Sequence, residues 1–583
     1  VFLLNEKIVA SVSSKFKKLC ELGLGKIIGC VLFVVAFPAY ILNPTNLSWV
    51  FHKPSTVYHA MDFHPHYLGW HFLRHAPVSF PLGSIPNFVA PLGTYMAWTD
   101  SLPLLAFPLR LISEYLPEDF QYLGLWVLTC CALQGLFAVR ILRRFIPDKA
   151  TLWMAVILVT FSPLLVWRWN HVALMAHWLL LWGIDLNLSE RRRVPVAMPA
   201  LLIVMAALIQ PYLAAMMGGL CWALPLRDFI AKNPKRLWWA GDRDAFAKAV
   251  ATLAAYTSVY LIPLVVVLYV FGFTQGSSMG EGFHWFATDL LSLLNNHGTS
   301  SFIPAFRHKA GLAEGYAWPG LGVWLLIGIL ARRKYRGMLV DILKRPEVRA
   351  LVIVCGAMWF FAFGSHWFIG TFWIVDMEWF WRPFKFLTAS LRTCGRFMWP
   401  GYYLLCLAAI ILTVRFHGTK AARNIIGVAL LLQAVDLGPW IMRQGLRYPV
   451  YGRQELTDRF WRENATKLRH IQLIPPHQEG GKMCNQGPDM LYEWAEFAKF
   501  AATHNMTINS GYLARYDGKV SFLYCGAQTY EFMTGTLRGD TLYVVRQPWL
   551  DRVPLTGPDR SCRVIDGYMT CVALNNSSPN GAL

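Results

Sequence analysis

"VRILRRFIPDKATLWMAVILVTFSPLLVWRWNHVALMAHWLLLWGIDLNLSERRR", residues 139–193, decides the fold class. It holds two apolar runs, "TLWMAVILVTFSPLLVW" and "VALMAHWLLLWGIDLNL". Each approaches the ~20 residues that cross a bilayer as a helix. Basic clusters bracket the pair, with Arg143 and Arg144 before it and "SERRR" after it. Lys and Arg concentrate in cytoplasmic loops, so the first run leads out and the second returns.

The bulk numbers agree. Of 583 residues, 55% are hydrophobic and 15% charged, against roughly 25% charged in an average soluble domain. Mean hydropathy is +0.37. The formal net charge of +20 sits mainly in short clusters between apolar runs, as topology requires. No nucleic-acid motif and no zinc-type CxxC spacing accompanies it, so nucleic acid is not an expected partner.

Threading the basic clusters outward gives about eleven spans, with the N-terminus inside. The first covers about residues 26–43, behind "KFKKLCELGLGK". No small-residue cleavage site follows it, so it reads as a retained span rather than a signal peptide. Two spans meet on the outer side near "IQPY", where Pro211 breaks the helix. The last, "IIGVALLLQAVDLGPWIM", exits.

The membrane part is therefore residues 1–443, and residues 444–583 form a small outer α/β domain. There "LYEWAEFAKFAATHN" reads as an amphipathic helix, and "TLYVVRQ" and "CRVIDGYMTCVAL" read as strands. Cys484, Cys525, Cys562 and Cys571 stand on the side where disulfides persist. At least one bond is expected, Cys562–Cys571 or Cys484–Cys525, with connectivity left open.

Three long outer loops, residues 44–117, 273–318 and 364–399, carry the candidate chemistry. In "MDFHPHYLGWHFLR" Asp62 reads as a helix N-cap, with Pro65 in the first turn. In "WTDSLPLLAFPLRLI" Asp100 reads the same way. A cap also fixes a carboxylate in place, as a general base needs. His64 and His66 beside Asp62 form only a weak metal signal, because positions i and i+2 do not share a helix face. No metal ligand is assigned. Arg382, Lys385, Arg392 and Arg396 lie on the side that the positive-inside bias disfavours; guanidinium suits a phosphate.

The segments "HYLGWHFLRHAPVSFPLG", "TDSLPLLAFPLRL", "FQYLGLWVLTCCALQGLFA", "HVALMAHWLLLW", "EGYAWPGLG" and "GRFMWPGYY" resemble an uncharacterised bacterial family of multi-spanning membrane proteins. The wider layout resembles GT-C glycosyltransferases: many spans, an early Asp in the first outer loop, and an outer C-terminal domain. That resemblance implies an inverting transferase in the bacterial inner membrane, with its C-terminal domain in the periplasm. It would move a sugar from a polyprenyl-phosphate donor to an envelope glycan or lipid acceptor. It implies Asp62 as base, with Asp100 second, and phosphate at Arg382, Lys385, Arg392 and Arg396. His64, His66, Arg74, His171, Glu281 and Glu314 would hold substrate. No Asp-x-Asp pair stands here, so a divalent metal, Mg2+ or Mn2+, remains open as a cofactor. A transporter or flippase, or a polymerase or ligase, of lipid-linked saccharides is the alternative.

Overall fold

A computed structural model describes residues 63–169, 171–189, 194–232, 243–275, 282–446, 456–476, 493–514 and 518–574. The span expected at residues 26–43 lies outside them, as do Asp62, Glu281 and Cys484.

The described chain is mostly helical. Five runs are long and apolar enough to cross a membrane: Leu123–Leu142, Lys149–Trp167, Pro211–Ala231, Ala251–Val270 and Cys394–Arg443. Val172–Leu188, Ala197–Ala207 and Leu321–Leu330 are apolar but shorter. The expected total of about eleven is not reached among the described residues, because several apolar runs do not form one long helix. Val172–Met175 is a 3-10 turn, and the α-helix that follows covers only Trp178–Leu188. Eleven residues rise about 16 Å, well short of a ~30 Å hydrocarbon core.

The last long run reverses at Gly418, whose φ of 72° is open to glycine at no steric cost. Helix Lys149–Thr160 and the turn after it serve as a ruler. Tyr403 Oη lies 3.3 Å from Ser162 Oγ at one end. Arg423 donates to Asp148 at 3.1 Å at the other end. Trp440 returns to stack on Trp167, 6.3 Å between centroids. The chain thus goes down, turns and comes back.

The same contacts collect the basic clusters at one end of the bundle. Arg140 and Arg144 both donate to the fully buried Asp185, Arg140 at 2.7 Å. Arg227 reaches the Asn187 carbonyl, and Tyr335, amid "ARRKYR", bonds His417 at 2.7 Å. The opposite end carries the loops and the sheet domain.

Two short hairpins ornament that opposite end. Ser84–Ile85 (β1) pairs with Thr94–Tyr95 (β2), and His366–Ile369 (β3) pairs antiparallel with Phe372–Asp376 (β4). The β3–β4 hairpin was not foreseen from the aromatic-rich loop at residues 364–399. The small domain is built on His470–Ile474 (β5), Thr507–Ile508 (β6), Thr541–Val545 (β7), Arg560–Ile565 (β8) and Tyr568–Ala573 (β9). Their order is β6-β5-β7-β9-β8, with β5 parallel to both neighbours. Helix Glu493–Thr503 connects β5 to β6, as a parallel crossover requires. Asp566-Gly567, both at positive φ, make the tight β8–β9 turn. Cys562 and Cys571, cross-strand partners, are disulfide-bonded. Cys525 is also disulfide-bonded.

The sheet continues into the membrane part. Phe88 bridges Ile508 in parallel, and Ala90 N–H donates to the Ile508 carbonyl at 2.7 Å. The Phe88 ring stacks on Phe72 at 4.7 Å and approaches Trp494 at 6.3 Å. A buried Phe→Ala change typically costs about 3–5 kcal/mol. Phe88→Ala is therefore expected to loosen the small domain, read as faster release of a C-terminal fragment in limited proteolysis.

Candidate functional site

Helix Phe63–His75 presents His66 toward the end of the bundle away from the basic clusters. Gly69 lets this helix rest directly on the next loop. A Cβ there would fall 2.1 Å from Thr99 Oγ1 and 2.2 Å from Ser101 Oγ. The loop is tightly bonded: Ser101 Oγ donates to the His66 carbonyl at 3.1 Å, and Tyr122 Oη to the Ser101 carbonyl at 2.5 Å.

Between these anchors Asp100 and Leu102 take left-handed φ values of 52° and 49°. Such conformations store of order 1–3 kcal/mol each and persist where surroundings over-determine them. Asp100 is not the helix cap expected from sequence. The helix runs Pro103–Leu111, its cap position is Leu102, and no side chain bonds there. The left-handed turn instead sends the Asp100 carboxylate to within 3.6 Å of His171 Nε2.

His171 comes from the irregular stretch between Pro163–Trp167 and the 3-10 turn Val172–Met175. The His66 and His171 rings meet edge-on at 5.2 Å, and His66 Nε2 accepts Ala173 N–H at 3.3 Å. Burial, then the Arg396 charge, drives His171 well below its ordinary titration range. The neutral form is thereby favoured beside the Asp100 carboxylate.

A second group adjoins it. Glu314, in the 3-10 turn Ala310–Gly315, receives two guanidiniums on one oxygen: Arg396 Nε at 2.9 Å and Arg168 Nη1 at 3.1 Å. Arg168 also donates to the Glu314 carbonyl at 2.7 Å. Aromatic faces back both cations, Trp399 under Arg168 at 5.0 Å and Tyr212 under Arg396 at 4.8 Å. Burial alone would raise the Glu314 carboxyl. The two arginines reverse this and hold it well below the carboxylate range. Around the group, His171 Nδ1 and the indole nitrogens of Trp98, Trp169 and Trp399 are buried without a hydrogen-bond partner among the described residues.

His66, Asp100 and His171 place ligand atoms within 4.8 Å of one another. They do not fit Mg2+. Mg2+ wants an octahedron of oxygens, and this set offers two imidazoles and one carboxylate. His66 Nε2 is already engaged by Ala173, and Arg396 acts electrostatically on both His171 and Asp100.

The other sequence candidates divide. Arg396 is central, and Arg392, half-buried, donates to the Ala514 carbonyl at 3.1 Å. Ala514 N–H in turn donates to the Trp98 carbonyl at 2.8 Å, so the sheet domain ties Arg392 to the Asp100 loop. Arg382 and Lys385 are exposed, apart from the buried arginines. Arg74 is engaged within the fold: its two terminal nitrogens donate to the carbonyls of Ser113, Leu116, Pro117 and Glu118 at 2.8–3.1 Å. Asp62, Glu281 and the His64 side chain lie outside the described residues. Arg168, Tyr212 and Trp399 escaped the sequence reading. Arg168 carried a signal, an arginine at the end of an apolar run opposite that run's basic cluster.

The Glu314 carboxyl titrates lower folded than unfolded, so its pairing stabilises fully above the unfolded value of 4.5 and fades as pH falls through the folded value. Glu314→Gln is expected to melt below wild type at neutral pH, with the two curves converging under acid. Gly69→Ala is expected to lower the melting temperature and displace the Asp100 loop together, since its Cβ strikes Thr99 and Ser101.

A family model described as "Domain of unknown function (DUF6311)" matches residues 26–438, and one described as "DUF6311 C-terminal domain" matches residues 460–573. No curated protein matches the chain.

Proposed function

The chain belongs to the DUF6311 family, and on that premise we propose that it is a glycosyltransferase of the bacterial inner membrane, using a polyprenyl-phosphate sugar on the periplasmic side. One observation carries the reading: a strained, fixed Asp100 beside His171 shares a site with two buried arginines that split a single carboxylate. The site lies opposite the basic end of the bundle, which the positive-inside bias puts in the cytoplasm.

The chemistry follows from the charges. Asp100 takes the proton of an acceptor hydroxyl as its oxygen attacks the anomeric carbon. The bond from that carbon to the donor phosphate breaks, and the phosphate leaves with the electron pair. Single displacement inverts the anomeric centre. Arg168 and Arg396 give two positive charges; Glu314 and Asp100 give two negative. The proton passed to Asp100 removes one negative charge as the leaving phosphate gains one. Fixed cations of this kind stabilise charge that develops in the transition state.

The test is an Asp100→Asn variant with a radiolabelled polyprenyl-phosphate sugar. Asn tolerates the left-handed conformation, so the fold should be kept while transfer falls by about 10²–10⁴-fold, the usual worth of a positioned base. Full transfer by folded Asp100→Asn removes it as the base. Saccharide export from vesicles with no new glycosidic bond supports a transporter instead.

A further inference from the structure

A second cluster of ligating side chains lies at the open end of the β3–β4 hairpin. His366 and Asp376 are cross-strand partners there, and Glu378 begins the helix Glu378–Trp381 two residues on. Ligand atoms of the three lie within 4.8 Å of one another, His366 Nε2 being 4.0 Å from Asp376 Oδ1. Ligand atoms around one metal ion stand closer than this. Metal–ligand bonds of about 2.0–2.2 Å put neighbouring ligand atoms roughly 3.0–3.6 Å apart, so the cluster must close by roughly 1 Å, and Asp376 and Glu378 are exposed enough to move.

The surroundings differ from those of the inner site. Two carboxylates face the imidazole here, and the other groups acting on it are His284 and Lys309. No guanidinium is among them. Carboxylate charge outweighs the one lysine, so the cluster attracts a cation. His366 is also pre-set as a ligand. Its Nδ1 lies 3.2 Å from Ser365 Oγ. Donation from Nδ1 leaves the Nε2 lone pair facing Asp376, the outer hydrogen bond that metal-binding imidazoles usually make. Asp376 is oriented by Glu378 N–H, which donates to Oδ1 at 2.7 Å. The exposed His284 lies beside the cluster, its ring edge-on to His366 at 5.3 Å.

We propose that His366, Asp376 and Glu378 bind a divalent transition-metal ion. One or two imidazoles with two carboxylates suit Zn2+ or Mn2+. The far end of the hairpin is already pinned, with Gly370 N–H donating to Asp289 at 2.9 Å. The ion would pin the open end to helix Glu378–Trp381, whose Trp381 indole donates to the Gly364 carbonyl at 3.0 Å. This is a different site from that of the proposed transfer reaction and does not depend on that reading.

The test is calorimetric titration of the tag-free full-length protein in detergent with Zn2+, repeated with Mn2+ by electron paramagnetic resonance. Wild type is expected to show one saturable site per chain and a metal-dependent rise in melting temperature. His366→Ala and Asp376→Asn should each weaken binding by about tenfold or more, while His66→Ala retains it. Asp376→Asn is isosteric at an exposed position, so its metal-free melt should match wild type. Absence of a saturable site in wild type overturns the proposal. So does unchanged binding in Asp376→Asn, or binding lost in His66→Ala and kept in His366→Ala.

Discussion

One carboxylate shared by two guanidiniums fixes the loop end of the bundle. Glu314 comes from an irregular turn, Arg168 from the end of one apolar helix run, and Arg396 from the start of another. Neither arginine could stay buried without that partner, since an uncompensated buried charge costs several kcal/mol. The three segments therefore meet in one arrangement. Trp399 and Tyr212, packed against the guanidinium faces, extend the constraint to the helix Pro211–Lys232.

The Asp100 loop is the second fixed body. Its left-handed residues are held by Thr99, Ser101 and Tyr122 and by the close approach of Gly69. The sheet domain closes this region from above through backbone bonds. β6 gains a partner at Phe88, and Ala514 links Trp98 to Arg392. The main-chain pairing at the join carries no residue-type signature, so the docking is hard to anticipate from sequence even though the Phe88 ring packs it against Phe72 and Trp494.

The outer surface beside this site is apolar for a different reason. Trp379 and Phe386 are 71% and 77% exposed, with Arg382 and Lys385 among them. Aromatic and basic side chains in this mixture belong at the level of lipid headgroups. The four cations grouped by sequence position thus separate in space. Arg396 is inside, Arg392 at the domain join, and Arg382 and Lys385 on the surface.

The sequence by itself determined that this is a helical chain with runs able to cross a membrane and a small sheet domain after them. Those features rest on local hydrophobicity and strand alternation, which neighbouring residues carry. "LYEWAEFAKFAATHN" became the helix Glu493–Thr503, and "CRVIDGYMTCVAL" became the hairpin β8–β9. Asp100, His66, Glu314 and Arg396 were legible as polar residues in loops expected on the outer side, and His171 as one at the end of a span. Their grouping was not, because it joins positions up to 330 residues apart (66 to 396). Only the tertiary structure decided that Asp100 faces a histidine rather than capping a helix, that Arg74 serves its own loop, and that Arg168 belongs to the site. Charge compensation in a buried place depends on which segments meet there, and no local pattern encodes that.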